Sequence, residues 1–406
     1  MQKRRFSLVW AVLLVAITAS CGIFKHNSES QTQERYVFVV SLDGFRWDYP
    51  TVYSSPNIDR IAENGVSTAM WASYPASTFP NHYAIATGLV PDHNGLVNNS
   101  FWAPDMNGFY SIGGPNKSVP GYYLGEPVWL TAQRQGVKSG LVYWVGSDVA
   151  VQDKYPTYWR DYGQKPMLTY EERVDEALGF LNLPEKDRPH LIMLYFDEPD
   201  HSGHSFGPVS DEVRDAVKRV DDMIGRLRAG IARSRYAKQI DLIVLSDHGM
   251  TEISTERCVN PYDYIQKEWC ERVVTGTPTS IFTKPEYREK IYSALKDVEH
   301  ISVWKKEEVP AELNYGTSVR LGDIIVAPDL GWQVTDKPRT FPGAHGYNPY
   351  DSDMRPIFRA EGPDFKKGYK AQPFRNVSIY PLVCHLLGIE PAPCDGDLEE
   401  VKQLLK

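Results

Sequence analysis

Carboxylates and imidazoles follow three apolar segments of the chain, and these two side-chain types together bind metal ions. The segment YVFVVSL ends directly before Asp43, and DLIVL is followed by SDHG, which contains Asp247 and His248. The third segment, LIMLYF, is followed by DEPDHSGH, which contains Asp200 and His204. Mixed sets of carboxylate and imidazole suit zinc and similar transition metals, whereas Ca²⁺ and Mg²⁺ prefer oxygen ligands alone. The pattern therefore predicts a zinc-type site.

The spacing within each pair limits how it can reach an ion. Asp200 and His204 are four residues apart, so a turn or the start of a helix can aim both at one ion. Asp247 and His248 are adjacent, and they can reach different sides of one ion only from a bent backbone. The following residue, Gly249, permits such a bend.

A further imidazole, His345, lies in the segment FPGAHGYN. For any one aspartate after a strand, the alternative is a role as a turn or helix cap. Three such positions, two of them with a histidine beside the aspartate, favour a shared site instead. Surface or packing roles are expected for His26, His93, His190, His300 and His385.

Such a site needs a nucleophile, and Thr78 is the candidate. It lies in ASTFPNHY, before the helical stretch AIATG, and the N-terminus of a helix favours anionic groups. A threonine hydroxyl is a weak nucleophile at neutral pH unless a base or a metal stabilises its alkoxide. The alternative is that Thr78 only caps the helix, which is a common role for threonine.

The elements that must position these residues alternate between two patterns. Apolar runs typical of strands buried on both faces cover 36–42, 138–144, 191–196 and 241–245. Helical spacing covers 56–64, 81–87, 170–181 and 209–233. The alternation predicts an α/β fold with a largely parallel central sheet, in which ligands bind beyond the carboxyl ends of the strands. We expect one catalytic domain over residues 35–395, with the least regular structure at 300–345.

Residues 1–20 have the pattern of a secretory signal peptide. Three basic residues precede an apolar run from Leu8 to Ile17, which is too short to span a bilayer as a helix. Small residues then precede Cys21, as in a bacterial lipoprotein whose first mature cysteine carries lipid; cleavage near Ala19 is the alternative. Residues 21–34 are polar and aperiodic, as in a tether. We therefore expect an exported protein, lipid-anchored in a bacterial envelope, at the periplasm or cell surface.

The composition describes a globular protein and argues against binding of nucleic-acid polymers. Hydrophobic residues make up 42% and charged residues 24% of the 406 residues. Residues 1–20 contain three basic and no acidic residues, so their removal changes the formal charge from −8 to −11. Such a chain lacks the excess of Lys and Arg that neutralises a phosphate backbone.

The remaining cysteines fall into two local pairs, Cys258 with Cys270 and Cys384 with Cys394. An exported chain meets oxidising conditions, so we expect two disulfides, and four buried free thiols are the alternative.

Seven longer segments surround the candidate residues. They are VVSLDGFRWDY, PNIDRIAENGV, YPASTFPNHYAIATGLVPDHNGLVNNSF, YWVGSDV, YFDEPDHSGHSFGP, LSDHGM and GAHGYN, and they span residues 39–348. Their sequences and order resemble the nucleotide pyrophosphatase/phosphodiesterase family of the alkaline phosphatase superfamily. The resemblance implies an alkaline-phosphatase-like core and two zinc ions. It assigns one zinc ion to Asp43, Thr78, Asp247 and His248, and the other to Asp200, His204 and His345.

The same resemblance implies roles for residues that contact substrate. Thr78 would be the nucleophile, and Asn99, 21 residues later, would hold a non-bridging phosphate oxygen. Tyr195 is the candidate for stacking on a nucleobase, Phe79 would flank the other side, and Tyr162 is a further stacking candidate. Animal relatives often carry somatomedin-like and nuclease-like domains, whereas this length is that expected of a single-domain bacterial member.

The expected function is hydrolysis of phosphodiester or pyrophosphate bonds in small, nucleotide-type substrates through a covalent Thr78 intermediate. The charges agree, because Asp43, Asp200, Asp247 and a Thr78 alkoxide carry four negative charges against two Zn²⁺. The nucleotide, dinucleotide, nucleotide-sugar or lysophospholipid nature of the substrate stays open, as does the oligomeric state.

Two alternatives remain. A phosphomonoesterase of the same superfamily presents extra cations to the second charged oxygen, and the metal-site segments contain no Lys or Arg at the ligands. A sulfatase would need a C/S-x-P-x-R motif, and the run from Thr78 to His82 has no Arg. The other alternative is a catalytically inactive surface binding protein, against which the seven ligand-type residues argue.

Overall fold

The computed structural model describes residues 35–406, with strands and helices numbered in chain order. The strands are β1 Tyr36–Leu42, β2 Val66–Trp71, β3 Ser100–Ala103, β4 Gly108–Ser111, β5 Ser139–Val142, β6 Tyr158–Arg160, β7 Leu191–Phe196, β8 Ile240–Leu245, β9 Thr251–Glu252, β10 Cys258–Val259, β11 Cys270–Val274, β12 Thr279–Thr283, β13 Ile301–Lys305, β14 Ile324–Pro328, β15 Gln333–Val334, β16 Gly343–Ala344, β17 Ile357–Glu361, β18 Tyr369–Lys370 and β19 Phe374–Arg375. The helices are α1 Tyr49–Val52, α2 Pro56–Asn64, α3 Thr78–Thr87, α4 Pro91–Asn94, α5 Val128–Arg134, α6 Tyr170–Gly179, α7 Asp200–Phe206, α8 Asp211–Arg233, α9 Arg288–Leu295, α10 Ile379–Leu387 and α11 Leu398–Lys402.

The central sheet has the strand order β18-β2-β17-β8-β1-β7-β5-β6, and β19 also pairs with β2. Strands β8, β1, β7, β5 and β6 pair in parallel, while β17 runs antiparallel to both of its neighbours. The predicted α/β fold with a largely parallel central sheet is therefore confirmed.

The central strands β1, β7 and β8 are buried at every position because helices cover both faces of the sheet. In β1, Val37 and Val39 pack in the cluster that contains residues of α3, α5 and α10. Phe38 and Val40, which point the other way, pack in the cluster formed with α2, α6 and α8. β1 therefore lacks an alternation of polar and apolar residues, because both of its faces are buried.

Local signals explain where the flanking helices begin. Thr169 precedes α6 and accepts a hydrogen bond from the backbone of Glu172, whose carboxylate accepts one from the Thr169 backbone in return. Ser210 caps α8 by accepting a hydrogen bond from the backbone of Val213. Helix α3 begins at Thr78, three residues before the predicted start at Asn81, because a proline in the first turn needs no N–H partner.

Residues 300–345 contain more regular structure than predicted. Strands β13 and β14 pair with each other, and β14 pairs with β12, in the four-stranded antiparallel sheet β11-β12-β14-β13. This sheet and helix α9 enclose their own apolar core, which includes Ile281, Ile291, Val303 and Ile324. The strands are five residues long, too short to stand out from the Pro- and Gly-containing sequence around them.

The described residues form one compact unit that continues to Lys406, beyond the predicted boundary at residue 395. The extension follows from α11, because Val401 in this helix and Leu404 just after it are buried in the same apolar cluster as Val37 and Val39 of β1. The predicted signal peptide (1–20), the tether (21–34) and Cys21 lie outside the described residues. Within 35–406, no helix combines the length and apolar character needed to cross a bilayer.

The expected disulfides are absent from this part of the chain, where Cys258, Cys270, Cys384 and Cys394 are free thiols. Within the first pair, the thiols face different backbone carbonyls, that of Thr335 for Cys258 and that of Gln266 for Cys270. Neither of the two predicted disulfides is formed in this structure.

Candidate active site

Two neighbouring strands bring the first group of candidate ligands to one edge of the sheet. The register pairs Ser41 in β1 with Leu245 in β8, so the residues after both strands emerge together. Asp43 Oδ1 lies 3.4 Å and Asp247 Oδ2 lies 3.1 Å from His248 Nε2. Three predicted ligands thus converge on one point.

The second group forms around helix α7. Asp200 begins the helix, and His204 lies one turn later, with its Nε2 3.5 Å from Asp200 Oδ1. His345 follows β16, and its Nε2 lies 3.7 Å from the same oxygen. A Cβ on Gly343 would lie 2.0 Å from the carbonyl oxygen of Gly203, so only glycine lets β16 approach α7 this closely.

Gly249 is required at its position for a different reason from the one the sequence indicates. A Cβ there would lie 1.9 Å from the carbonyl oxygen of Asp353, while its φ is outside the left-handed region. The glycine therefore allows a close backbone approach beside Asp247 and His248 rather than an unusual bend.

Asp43 and Asp247 each present one oxygen oriented by a hydrogen bond and one oxygen without a hydrogen bond. Asp43 Oδ2 accepts a hydrogen bond from Tyr195, and Asp247 Oδ1 accepts one from the backbone of Gly44. Among the described residues, Asp43 Oδ1, Asp200 Oδ1 and Asp247 Oδ2 are buried without a hydrogen bond. Unpartnered buried carboxylate oxygens are costly unless a cation joins them.

The imidazoles are oriented to match these oxygens. Nδ1 of His204, His248 and His345 lies 2.8, 2.8 and 3.1 Å from a backbone carbonyl oxygen, respectively. Because a carbonyl only accepts, Nδ1 carries the proton in the neutral form of each ring, and the lone pair of that form is on Nε2. Nε2 is the atom that faces the aspartates, so the residues fit divalent metal ions with mixed nitrogen and oxygen ligands.

The ligand atoms of Asp200, His204 and His345 lie within 4.8 Å of one another, and so do those of Asp43, Asp200 and His248. Asp200 therefore lies between the two predicted zinc positions.

Burial and like charges disturb the ionisation of these groups. Burial, together with the charges of Asp247 and Asp200, raises the pKa of Asp43 well above its usual range. Burial raises the pKa of Asp200 to about 7. Burial also acts to raise the pKa of Asp247, but His248 and a second imidazole outweigh it and hold that pKa below its usual range. Burial lowers the pKa of His345 well below normal. A divalent cation would relieve the repulsion between the carboxylates.

Thr78 lies at this site as the first residue of α3, and its side chain is nearly buried. The residue that occupies the N-cap position is Ser77, so Thr78 is not the cap of the helix. Thr78 Oγ1 lies 3.1 Å from His248 Nε2, beside the group formed by Asp43 and Asp247.

Asn99 and Phe79 flank the threonine. The side-chain oxygen of Asn99 accepts a hydrogen bond of 3.0 Å from the backbone N–H of Phe79, at the second position of α3. This contact fixes the Asn99 amide next to Thr78. The ring of Phe79 lines the neighbouring cavity.

A cavity of about 270 Å³ opens beside Thr78, Asp43 and Asp200. Its aromatic wall includes Tyr195 and Tyr162, whose rings meet edge to face at 6.1 Å. Tyr195 is only 7% exposed, and its hydroxyl donates a hydrogen bond of 2.6 Å to Asp43. Tyr195 therefore orients a candidate metal ligand, a role that its type and position in the sequence did not indicate.

The profile of the family described as type I phosphodiesterase/nucleotide pyrophosphatase matches residues 37–348. The chain belongs to this family. The resemblance noted in the sequence is thereby confirmed.

The chain is also similar to individual members of the family. It is 37% identical over 385 residues to mouse ectonucleotide pyrophosphatase/phosphodiesterase family member 3, covering 91% of this chain and 44% of the relative. It is 34% identical over 385 residues to venom phosphodiesterase 2 of Crotalus adamanteus, covering 91% and 47%. The chain thus spans less than half the length of these curated relatives.

A solved structure of murine ectonucleotide pyrophosphatase/phosphodiesterase 5 has the same fold. It is an inactive threonine-to-alanine variant in complex with AMP, and it superposes with a TM-score of 0.87 at 32% identity. The match covers 92% of this chain and all of that one. This likeness agrees with the predicted alkaline-phosphatase-like core.

His82 is a residue beside the candidate metal ligands that the sequence reasoning missed. Its Nδ1 lies 2.9 Å from the Thr78 carbonyl oxygen and 3.2 Å from Asp247 Oδ2, and its Nε2 lies 2.8 Å from Ser41 Oγ. Because both ring nitrogens have partners in the protein, His82 braces the start of α3 rather than offering a free lone pair. The signal was its position four residues after Thr78, one helical turn away.

Lys117 is a second residue that sequence reasoning missed. It lines the aromatic cavity, and its Nζ lies 3.4 Å from Asp148 Oδ2 and 5.3 Å from the centroid of the Tyr162 ring. Its charge is therefore balanced within the cavity wall. No local motif marks Lys117, because the segment between α4 and α5, which contains β3 and β4, brings it to the site.

Proposed function

We propose that the protein is a two-zinc phosphodiesterase that hydrolyses phosphodiester or pyrophosphate bonds in nucleotide-type substrates through a covalent intermediate on Thr78. The observation that carries the proposal is the convergence of three unpartnered carboxylate oxygens and three Nε2 lone pairs next to the Thr78 hydroxyl. Family membership supports the same chemistry.

The residues that would hold the metal ions form two sets that meet at Asp200. One set is Asp43, Thr78, Asp247 and His248, and the other is Asp200, His204 and His345. When bound, two zinc ions would supply positive charge for the Thr78 alkoxide and for the departing oxygen.

The reaction uses the Thr78 oxygen twice. Thr78 Oγ1 attacks the phosphorus, and the bond between phosphorus and the leaving oxygen breaks, so the leaving group departs as an alcohol or a phosphate. The nucleotidyl group is now esterified to Thr78. Water then attacks the same phosphorus, the bond to Thr78 Oγ1 breaks, and the threonine hydroxyl and a nucleoside monophosphate are released.

The neighbours of Thr78 position the phosphate. The Asn99 amide, held by the backbone of Phe79, would donate a hydrogen bond from its nitrogen to a non-bridging oxygen. The Asn99 donor is neutral, and the charge of Lys117 is already paired with Asp148. The site therefore offers little electrostatic stabilisation for the second negative charge of a monoester. These contacts favour a diester over a monoester.

The aromatic cavity would hold the nucleoside part of the substrate. Tyr162, Phe79 and the edge of Tyr195 line it, and stacking on a base is worth about 1–3 kcal/mol. The structure of the murine relative, ectonucleotide pyrophosphatase/phosphodiesterase 5, contains the mononucleotide AMP, which supports this assignment.

Export is part of the proposal, with lipid attachment at Cys21 and release of residues 1–20. The prefix "ecto" in the names of the relatives supports a location outside the cytoplasm. The variant Cys21→Ala should move from the membrane fraction to the soluble exported fraction. Retention of this variant in the membrane would show that lipid at Cys21 is not the anchor.

The test of the covalent step compares Thr78→Ala with Thr78→Ser. The alanine variant should lose about 10³-fold or more in kcat on a nucleotide aryl ester, whereas serine should keep part of the rate because it retains a hydroxyl. Quenching turnover with a labelled substrate should leave label on the wild-type chain and none on Thr78→Ala. A folded Thr78→Ala variant that hydrolyses the substrate near the normal rate would contradict the proposal.

A further inference from the structure

A cavity of about 420 Å³ lies at the edge of the central sheet that β18 forms. Strands β2, β17 and β18 and the segment around helix α1 supply residues of its lining. None of the lining residues also lines the aromatic cavity, and none is a candidate metal ligand. The cavity is therefore separate from the candidate active site, and we call it the basic cavity because three cations line it.

Positive charge in the basic cavity is not balanced by its own lining. Arg355, Arg359 and Lys370 line the cavity, and no carboxylate does. Within residues 35–406, none of these three side chains forms an ion pair. The charges of Asp351 and Asp59 act on Arg355 and Arg359, but both carboxylates lie outside the lining and beyond ion-pair distance. The cavity therefore presents three cations to a ligand.

The pairing of three neighbouring strands explains why two of the cations meet. Arg359 in β17 pairs with Ser67 in β2, and Ser67 pairs on its other side with Lys370 in β18. Side chains at paired positions point to the same face of a sheet, so Arg359 and Lys370 flank the small side chain of Ser67 in one row. Ala69, two residues further along β2, is also small and also lines the cavity. These two short side chains leave room between the cations.

The two guanidinium groups are held in place but keep donors without partners. Arg359 Nη1 donates hydrogen bonds to the carbonyl oxygens of Thr68 and Phe358. Arg355 Nη2 donates one to the carbonyl oxygen of Tyr350. These acceptors are neutral, and Nε of both arginines is buried without a hydrogen bond. Burial lowers the pKa of Arg359 to about 10, so the side chain stays charged at neutral pH while its surroundings stabilise that charge poorly. An anion in the cavity would supply the missing stabilisation.

We propose that the basic cavity binds a small phosphate anion with several negative charges, such as pyrophosphate, at a site separate from that of hydrolysis. The planar guanidinium group matches the oxygens of phosphate, and three cations match a multiply charged anion better than a carboxylate with one charge. The basic cavity is larger than the aromatic cavity of about 270 Å³, so it has room for two linked phosphate groups. Binding there does not depend on the hydrolytic activity of the chain.

Binding of inorganic pyrophosphate to the full chain tests the proposal, and zinc is removed first because the metal itself binds pyrophosphate. Isothermal titration calorimetry should give a dissociation constant at least about tenfold weaker for Arg355→Met/Lys370→Met than for wild type. The matched control, Arg235→Met/Lys238→Met, removes the same two residue types from exposed positions between α8 and β8 and should bind like wild type. Equal binding by wild type and the Arg355/Lys370 variant, or no binding by wild type, would overturn the proposal.

A second variant keeps all three cations and fills the space between two of them. Ser67→Glu places a carboxylate between Arg359 and Lys370, so it should also weaken pyrophosphate binding at least about tenfold. Circular dichroism checks that each variant is folded. An unchanged affinity in folded Ser67→Glu would contradict the assignment of the anion to this cavity.

Kinetics distinguish a separate anion site from a part of the substrate site. In the zinc-loaded protein, Arg355→Met/Lys370→Met should hydrolyse a nucleotide aryl ester with kcat/KM within about twofold of wild type, because neither residue lines the aromatic cavity. A fall in kcat/KM that matches the loss of pyrophosphate affinity would assign the basic cavity to the substrate and overturn the proposal of a separate site.

Discussion

At the scale of single residues, the side chains that orient the aspartates matter as much as the ligands themselves. Tyr195 illustrates this, because the family resemblance implied base stacking for it, whereas its hydroxyl donates a hydrogen bond to Asp43. This hydrogen bond acts to lower the pKa of Asp43 against the larger effect of burial. A carboxylate held in its ionised form binds a metal ion more tightly.

We therefore predict that Tyr195→Phe weakens zinc binding by about tenfold, because it removes the hydrogen bond and keeps the ring. A competitive titration with a chromogenic zinc chelator measures the dissociation constant. Tyr162→Phe is the control, because the Tyr162 ring also lines the cavity but its hydroxyl does not bond to a ligand. An unchanged zinc affinity in Tyr195→Phe would mean that the hydroxyl contributes only to packing.

At the scale of elements, the segment between α4 and α5 supplies Ile112 and Lys117 to the aromatic cavity and depends on one buried arginine. Arg320 is 2% exposed, and its guanidinium donates hydrogen bonds to the backbone oxygens of Gly95, Gly121 and Tyr122. It also pairs with Asp105 at 2.8 Å. The part of the chain bounded by these contacts carries Asn99 and Lys117.

Arg320→Met should loosen this segment and raise KM for a nucleotide substrate by about tenfold, equivalent to about 1.4 kcal/mol of binding. The effect on kcat should be smaller, because Thr78 and the metal ligands lie on other elements, and Arg320→Lys should restore part of the affinity.

Arg359→Met is the matched control for this prediction. Arg359 is also largely enclosed, and it bonds to the carbonyl oxygen of Thr68 within the central sheet, away from the aromatic cavity. It should lower thermal stability without a change in KM. A similar KM increase in both variants would assign the effect to general destabilisation.

The elements differ in how well the sequence predicts them. Strands β1 and β7 and helix α2 have the predicted bounds, because burial on one or two faces imposes a clear hydrophobic pattern. The predicted ligands lie at strand ends and in short glycine-bearing segments, so they also come together as expected. Lys117 and Arg320 could not be found this way, because their positions depend on long connections that the local pattern does not determine.

At the scale of the whole molecule, the candidate metal site makes the stability of the folded chain depend on pH. The folded, metal-free protein keeps protons on Asp43 and Asp200, whose pKa values burial raises, the second to about 7. The unfolded chain loses these protons near pH 4. Between these values Asp43 and Asp200 bind more protons in the folded state than in the unfolded state, so their contribution to stability falls as pH rises. Burial lowers the pKa values of His204 and His345, which has the opposite effect on stability, but it does so in the metal-free and the zinc-loaded protein alike and cancels in their difference. Bound zinc would replace the protons on the two aspartates and remove their contribution to this dependence.

The melting temperatures of zinc-loaded and metal-free protein should therefore diverge as pH rises from about 5 to about 7.5. Asp241, whose pKa burial also raises to about 7, contributes equally to both forms and cancels in the difference. Asp247 is ionised throughout this range in both folded and unfolded chains. Differential scanning fluorimetry at fixed zinc activity measures the gap, and a gap that narrows with rising pH would contradict this reasoning.

Metal content and activity measured on the same preparation test the central claim most directly. Elemental analysis of the purified full chain should find about two zinc ions, and Asp247→Asn and His345→Ala should each lose about one. Removal of the metal by chelation should abolish cleavage of a nucleotide aryl ester, and added zinc should restore it. Full activity in the metal-free protein would contradict the account.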